Sequence, residues 1–146
     1  MNGLIKREPS MRILKWFFLL TDISFILYFS ATALRLIPPE WAYSDYSNPI
    51  LIAWNWSFFP IDMLVSVTGL TALYLYRNRS PVWKSAALIS LVLTFCSGMM
   101  AISYWGNRQE FDPAWWIPNL FLMIYPLFFI RKFWKSAFVS EVPEGI

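Results

Sequence analysis

Two aspartates, Asp22 and Asp62, are each isolated from every other charge in the sequence. Asp22 is the only charged residue in the stretch 16–34, and Asp62 is the only one in the stretch 46–76. A carboxyl group in such surroundings can form hydrogen bonds, exchange a proton as a general acid or base, or bind a cation such as an amine. The choice among these depends on the elements that carry the two residues and on the solvent around them.

Further polar residues accompany the two acids at helical spacing. Asn55, Asp62, Ser66 and Gly69 are separated by seven, four and three positions, so a helix places them on one face. The last apolar segment contributes Asn119 and Tyr125. We predict a ligand-binding set that consists of Asp22, Asn55, Asp62, Ser66, Asn119 and Tyr125.

The composition indicates that lipid is the solvent. Of the 146 residues, 58% are hydrophobic and only 14% are charged, compared with about 45–50% and about 25% in soluble globular domains. A soluble chain of this size leaves much of its surface wet and has no room to hide so much apolar area. We therefore expect an integral membrane protein.

The stretches that contain little or no charge are long enough to cross a membrane. A bilayer-spanning helix needs about 20 mainly apolar residues, and four such segments are separated by loops rich in Pro, Asn and Gly. The predicted fold is an all-α bundle of four transmembrane helices that forms a single domain over residues 1–146. The predicted helices cover residues 14–36, 50–76, 83–105 and 114–131.

The distribution of Lys and Arg predicts the orientation. Ten of the twelve lie in the two tails and the second loop, whereas only Arg35 and Arg108 lie on the other side. By the positive-inside rule, both termini are expected in the cytoplasm of a multi-pass plasma-membrane protein. The net charge of +3 then reflects topology, and nothing in it indicates nucleic-acid binding.

The sequence lacks the residues that several kinds of chemistry require. The chain has no histidine, and Cys96 is its only cysteine, which excludes most zinc sites and an intrachain disulfide. Phosphate-binding glycine loops and the nucleophile elbow of serine hydrolases are absent from the sequence. We predict no metal, no cofactor and no set of catalytic residues, although the sequence leaves enzymatic activity open.

Three states are open to the two carboxyl groups. An ionised Asp at the bilayer centre costs at least about 2.5–3.5 kcal/mol, and no Lys or Arg lies in the core of any predicted helix to pair with it. The carboxyl groups are protonated, or they hydrogen-bond neighbouring helices, or they bind a cation. At about 1.5 Å per residue, Asp22 and Asp62 lie within one or two helical turns of each other in depth. We expect both to face a cavity that is also lined by Asn55, Ser66 and Asn119.

The runs TDISFILYFSATALRLIPPEW and NPILIAWNWSFFPIDMLVSVTGL resemble the YvaD-like family of small four-helix membrane proteins in bacilli. The resemblance covers approximately residues 21–76. It implies the four-helix membrane fold and carries no implication for chemistry.

A fainter pattern is similar to the emopamil-binding-protein-like group, called EXPERA. That group has four core helices with one acid in each of the first two, and a membrane cavity that accepts sterols or hydrophobic amines. The resemblance places Asp22, Asp62 and residues 58–61 at the matching positions, with Asn119 lining the same space. This chain is shorter and lacks histidine, which leaves fewer groups for proton transfer than an isomerase of that group would use.

The function predicted from these patterns is binding of a hydrophobic small molecule, cationic or neutral, or of a lipid, within the membrane. Asp62 would hold an amine by a charge-assisted hydrogen bond. The alternatives are an isomerase-like enzyme acting on lipids or sterols, a small multidrug-type transporter, and an accessory subunit of a larger membrane complex. The expected partners are the lipid bilayer, such a ligand, and a second copy of the chain or another membrane protein.

Overall fold

The structure of the protein, a computed structural model, describes residues 9–138 and is helical through most of that range. A short 3-10 turn, Pro39–Trp41, lies in the first loop, and the described residues contain no strand. The five α-helices are α1 (Pro9–Ala33), α2 (Pro49–Ser57), α3 (Phe59–Arg77), α4 (Trp83–Asn107) and α5 (Pro113–Phe138).

Four helical segments are long and apolar enough to cross a membrane, which confirms the predicted fold class. They are formed by α1, by α2 together with α3, by α4, and by α5. The boundaries of the second and third segments lie within two residues of the predicted ones. α1 begins five residues before the predicted start, and α5 continues seven residues past the predicted end at 131.

The second segment is interrupted at Phe58, between α2 and α3. Pro60 follows directly and has no N–H to donate to the Trp56 carbonyl, so the regular helical pattern cannot continue through this point. The Phe58 N–H instead bonds the Asn55 carbonyl at 3.2 Å, and the Asp62 N–H resumes the helix by bonding the Phe58 carbonyl at 2.9 Å. The interruption therefore separates Asn55 from Asp62.

Side chains cap the helices that start on the side of loops one and three. The Asn48 Oδ1 accepts a hydrogen bond from the Ile50 N–H at 2.9 Å, and Pro49 is the first residue of α2. The Asp112 Oδ1 accepts from the Ala114 N–H, also at 2.9 Å, ahead of α5. Both caps satisfy an N–H that the helix itself leaves without a partner.

Three of the long helices end in the same backbone motif, with one residue in the left-handed region. Arg35, Arg79 and Gln109 have φ of 56°, 56° and 57°, and each follows the end of α1, α3 or α4. After each, the next N–H bonds a carbonyl five residues back, as Glu110 does to Trp105 at 3.1 Å. This motif usually has glycine at the left-handed position, so all three residues carry a conformational cost.

The helices are arranged so that α3 lies between α1 and α4, and α4 lies between α3 and α5. α1 and α5 contact each other sparsely. Exposed apolar side chains cover the outer faces of the helices, as a surface facing lipid requires. The buried middle of the bundle is mainly polar or small, and comprises Thr21, Asp22, Asp62, Ser66, Gly69, Ser90, Thr94, Ser97 and Gly98.

Two glycines allow the helices to approach closely in this middle layer. A Cβ atom on Gly98 of α4 would lie 2.7 Å from the Asn119 carbonyl oxygen and 2.8 Å from the Met123 nitrogen of α5. A Cβ atom on Gly69 of α3 would overlap the Asp22 carboxyl group of α1. At Gly98 the obstructing atoms belong to the backbone of α5, so a larger residue would have to separate the helices, whereas at Gly69 it would have to displace the Asp22 side chain.

Candidate functional site

A cavity of about 720 Å³ lies in the half of the bundle that faces loops one and three. It extends from the first loop, at Ile37 and Trp41, down to the middle layer of the bundle, at Asp62 and Ser97. Most of its lining side chains are apolar or aromatic. This size and character are typical of small-molecule sites, which fall in the range of about 300–1,000 Å³.

The cavity opens to the outside of the bundle between α1 and α5. Leu20 and Leu27 of α1 and Phe121 of α5 line the cavity and are also exposed on the bundle surface. These are the two helices that contact each other sparsely. The side chains at this opening are therefore apolar.

Asp62 is the one acidic or basic residue among the described residues that line the cavity. Its Oδ1 accepts a hydrogen bond of 2.7 Å from the Ser97 hydroxyl of α4, and the residue is 5% exposed. Ser97 thus fixes one carboxyl oxygen in place. In an apolar cavity without a neighbouring cation, this group is the natural partner for a positively charged donor.

A second polar pair, Tyr28 and Asn55, lies nearer to the loops. The Tyr28 hydroxyl donates a hydrogen bond of 2.7 Å to the Asn55 Oδ1, and both residues line the cavity. The Asn55 Nδ2 is buried and has no hydrogen-bond partner among the described residues. Asn55 is only 6% exposed, so its amide group carries an unused donor inside the protein.

Aromatic rings form the wall on the loop side. Trp54 stacks on Tyr104 with ring centroids 4.2 Å apart, and its edge meets Phe58 at 5.0 Å. The Tyr28 ring meets the Trp115 ring edge-on at 6.2 Å, which joins α1 to α5 above the opening. Each ring is held by another ring, so the wall has few rotamers to lose when a ligand binds.

The structure distributes the six predicted ligand-binding residues over two places. Asn55, Asp62 and Asn119 line the cavity, whereas Asp22, Ser66 and Tyr125 are not among its lining side chains. The Asn119 Nδ2 donates to the Trp115 carbonyl at 2.7 Å, one turn earlier in α5. The expected meeting of both carboxyl groups in one cavity therefore does not occur.

Asp22 lies on the side of α1 that faces α3. It is fully buried, its carboxyl group packs against Gly69, and neither of its carboxyl oxygens has a hydrogen-bond partner among the described residues. The Ser66 hydroxyl lies between the two acids and contacts the carbonyls of Asp22 and Asp62 at 3.1 and 3.0 Å. Ser66 thus joins α1 to α3 through their backbones.

Tyr125 belongs to the contact between α5 and the N-terminal half of α1. Its hydroxyl is 3.2 Å from the Thr21 Oγ1, and its ring stacks on Phe17 with centroids 4.8 Å apart. This contact closes the bundle below the cavity, and Thr21 is itself a lining residue.

Sequence reasoning left Tyr28 and Ser97 out of the predicted set. Ser97 belongs to a run of small residues at helical spacing in α4, and Tyr28 follows Ser24 by one turn. Both patterns are as typical of helix packing as of a ligand site. No group of three or more metal-ligating side chains occurs within residues 9–138.

Four membrane-length helices around an internal cavity define an all-α, multi-pass membrane protein. Residues 14–139 match the model of a family described as a family of unknown function, DUF5360. The chain belongs to this family.

The chain is 55% identical over 127 residues to the uncharacterized protein YvaD of Bacillus subtilis (strain 168). The alignment covers 87% of this chain and 96% of that protein. The predicted resemblance to the YvaD-like family is thereby confirmed, while the resemblance to the EXPERA group stays a prediction. No solved structure matches the chain.

Proposed function

We propose that this protein binds a hydrophobic amine, or a lipid that carries a protonated amine, in the cavity between α1 and α5. The observation that carries the proposal is the position of Asp62, the one lining carboxyl group within residues 9–138, at the inner end of an otherwise mainly apolar cavity. A protonated amine at Asp62 would neutralise a charge that is costly at membrane depth. The aromatic wall would supply most of the apolar contact area.

The opening between α1 and α5 supports entry from the membrane. Its exposed leucines and phenylalanine present an apolar path to a compound that is already dissolved in lipid. Such a compound reaches Asp62 without crossing the loops. The charge distribution additionally favours an orientation in the plasma membrane with both termini in the cytoplasm, so the cavity would lie in the outer half of the bilayer.

The placement of Asp22 favours binding over an acid–base reaction. A reaction with two carboxyl groups as acid and base would need both within reach of one substrate. Asp22 faces Gly69, outside the set of lining side chains, so Asp62 has no second carboxyl group beside it in the cavity.

Thermal unfolding of the purified protein in detergent tests the proposal. Long-chain primary amines and neutral lipids of matched chain length would be titrated against the wild type, Asp62→Asn and Asp22→Asn. We expect amines to raise the wild-type midpoint and to lose about tenfold or more in affinity for Asp62→Asn, the value of a charged hydrogen bond.

Asp22→Asn is the matched control, because it removes an equally buried carboxyl group that does not line the cavity. It should keep the wild-type response to amines. Equal amine responses of the wild type and Asp62→Asn would contradict the proposal. If no amine or lipid shifts any of the three proteins, the role of Asp62 is to join helices, and protein partners become the next candidates.

A further inference from the structure

The cavity contains two polar anchors at different depths, and a simple amine bound as proposed above would use only one of them. Asp62 with Ser97 forms the inner anchor, and Asn55 with Tyr28 forms the anchor nearer the loops. Asn55 precedes Asp62 by seven residues in the same membrane segment, which corresponds to about 10 Å along the helix. All four side chains line the cavity.

The anchor nearer the loops has hydrogen-bonding capacity that the described residues leave unfilled. The Tyr28 hydroxyl uses the Asn55 Oδ1, and the Asn55 Nδ2 stays buried without a partner. A buried polar group without a partner costs about 1–3 kcal/mol, so a group that satisfies it gains affinity. If the Asn55 amide group were turned by 180°, its Oδ1 would be left without a hydrogen-bond partner instead of its Nδ2. A hydroxyl group can donate to the oxygen or accept from the nitrogen, so it fits either orientation.

We propose that the ligand is bound at two points: a protonated amine at Asp62 and a hydroxyl or other oxygen-bearing polar group at Asn55, joined by an apolar segment of about 10 Å. The inference rests on the proposed function and specifies its ligand class, an amphiphile with a polar group at each end. The intervening segment would lie against the aromatic wall, where Phe58 marks the break between α2 and α3.

A series of linear amino-alcohols of increasing chain length tests the spacing on the wild-type protein. Each is compared with the alkylamine of the same chain length, which keeps the amine and lacks the hydroxyl. We expect the hydroxyl to strengthen binding about fivefold, the value of one hydrogen bond, only near the chain length that spans the two anchors. The readout is the dissociation constant from ligand-dependent shifts of the unfolding midpoint.

The variant Asn55→Ala assigns the second anchor. In this variant the amino-alcohol should bind no more tightly than the alkylamine of the same chain length, so the roughly fivefold ratio between the two ligands is lost whatever the affinity for the alkylamine itself. Asn55→Ser provides a milder substitution with the same expectation if the alanine variant does not fold. The chain-length series on the wild type needs no variant.

The outcomes separate this inference from the proposed function. If alkylamines bind through Asp62 but the hydroxyl adds nothing at any chain length, the two-point ligand is wrong and the amine site stands. A hydroxyl gain that survives in both Asn55 variants likewise overturns the second anchor. If the alkylamines do not bind, the proposed function fails and the two-point ligand fails with it.

Discussion

The carboxyl group of Asp22 in α1 occupies the space that a side chain on Gly69 of α3 would need. A Cβ atom on Gly69 would overlap the Asp22 Oδ2 and would lie 2.9 Å from its Cγ. The two residues are both fully or almost fully buried in the middle layer of the bundle. The acid of α1 and the glycine of α3 are thus a matched pair that sets the distance between these helices.

The Asp22–Gly69 contact predicts that Gly69→Ala destabilises the protein. The added methyl group must displace the carboxyl group or separate the helices, and overpacking of this kind typically costs about 1–3 kcal/mol. A lower midpoint of thermal unfolding in detergent would report the loss. Removing the obstructing group in the double variant Gly69→Ala with Asp22→Ala should restore part of it.

Gly106→Ala is the matched control for this experiment. A Cβ atom on Gly106 has its nearest neighbour, the Trp116 ring, at 3.9 Å, which is an ordinary contact. Alanine should be neutral or slightly stabilising there because it favours the helix. If Gly69→Ala unfolds at the same temperature as Gly106→Ala, the packing of Asp22 against Gly69 is wrong.

The second prediction is that Asp22→Asn is tolerated, because the Asp22 carboxyl group makes no hydrogen bond among the described residues. Neither carboxyl oxygen has a hydrogen-bond partner among the described residues, so the substitution removes no described side-chain bond. Asn has nearly the same shape and cannot ionise, which avoids the cost of a charge at membrane depth. We expect an unfolding midpoint equal to or above that of the wild type. A drop equivalent to more than about 1 kcal/mol would show that the carboxyl group has a partner.

A third prediction concerns the bond between Ser97 and Asp62. Ser97→Ala leaves the buried Asp62 Oδ1 without its donor at 2.7 Å, and we expect a loss of about 1–3 kcal/mol in the free energy of unfolding. The same substitution in an Asp62→Leu background should cost clearly less, because no acceptor is left to satisfy. Unfolding of the four proteins in a double-mutant cycle gives the coupling energy. Additive costs would contradict the bond.

The spans were predictable because lipid imposes them. Long stretches with little charge and the prolines and asparagines between them set the four segments. The observed starts at Pro49 and Pro113 each lie one residue before the predicted ones. The rotation of each helix about its own axis was not predictable in this way. Asp22 and Asp62 were expected at similar depth, but α1 turns Asp22 toward Gly69 and away from the cavity. Only packing between distant segments decides that rotation, and the residue pattern of a single helix does not predict it.

The cavity residues show the same contrast between what one segment predicts and what depends on packing between segments. Asn55 and Asp62 share a helical face in the sequence, and both line the cavity despite the interruption at Phe58. Their partners Tyr28 and Ser97 come from α1 and α4, and their contacts depend on how those helices cross the second segment. Spacing within one segment therefore placed Asn55 and Asp62 correctly, although Ser66 of the same face lies outside the cavity lining, and the contacts between segments could not be predicted from it.

The left-handed residue after α4 gives a fourth prediction. Gln109 has φ of 57°, where a side chain costs roughly 1–2 kcal/mol and glycine does not. Gln109→Gly should therefore raise the free energy of unfolding by a few tenths to about 1 kcal/mol, since the greater freedom of glycine in the unfolded chain offsets part of the gain. Ser103→Gly, at an exposed position inside α4, should lower it instead. Equal signs for the two substitutions would contradict the assigned helix end.

The fifth prediction concerns the orientation that the charges favour. Ser44 in the first loop and Asn78 after α3 are both exposed and lie at opposite ends of the bundle. Single cysteines at these positions, in a Cys96→Ala background, would be treated on intact cells with a membrane-impermeant maleimide. With both termini in the cytoplasm, Ser44→Cys should react directly and Asn78→Cys only after permeabilisation, because the two tails and the second loop together carry ten of the twelve Lys and Arg and are expected inside. The reverse labelling pattern would place the cavity in the inner half of the bilayer, and an amine would then have to reach Asp62 from the cytoplasmic leaflet.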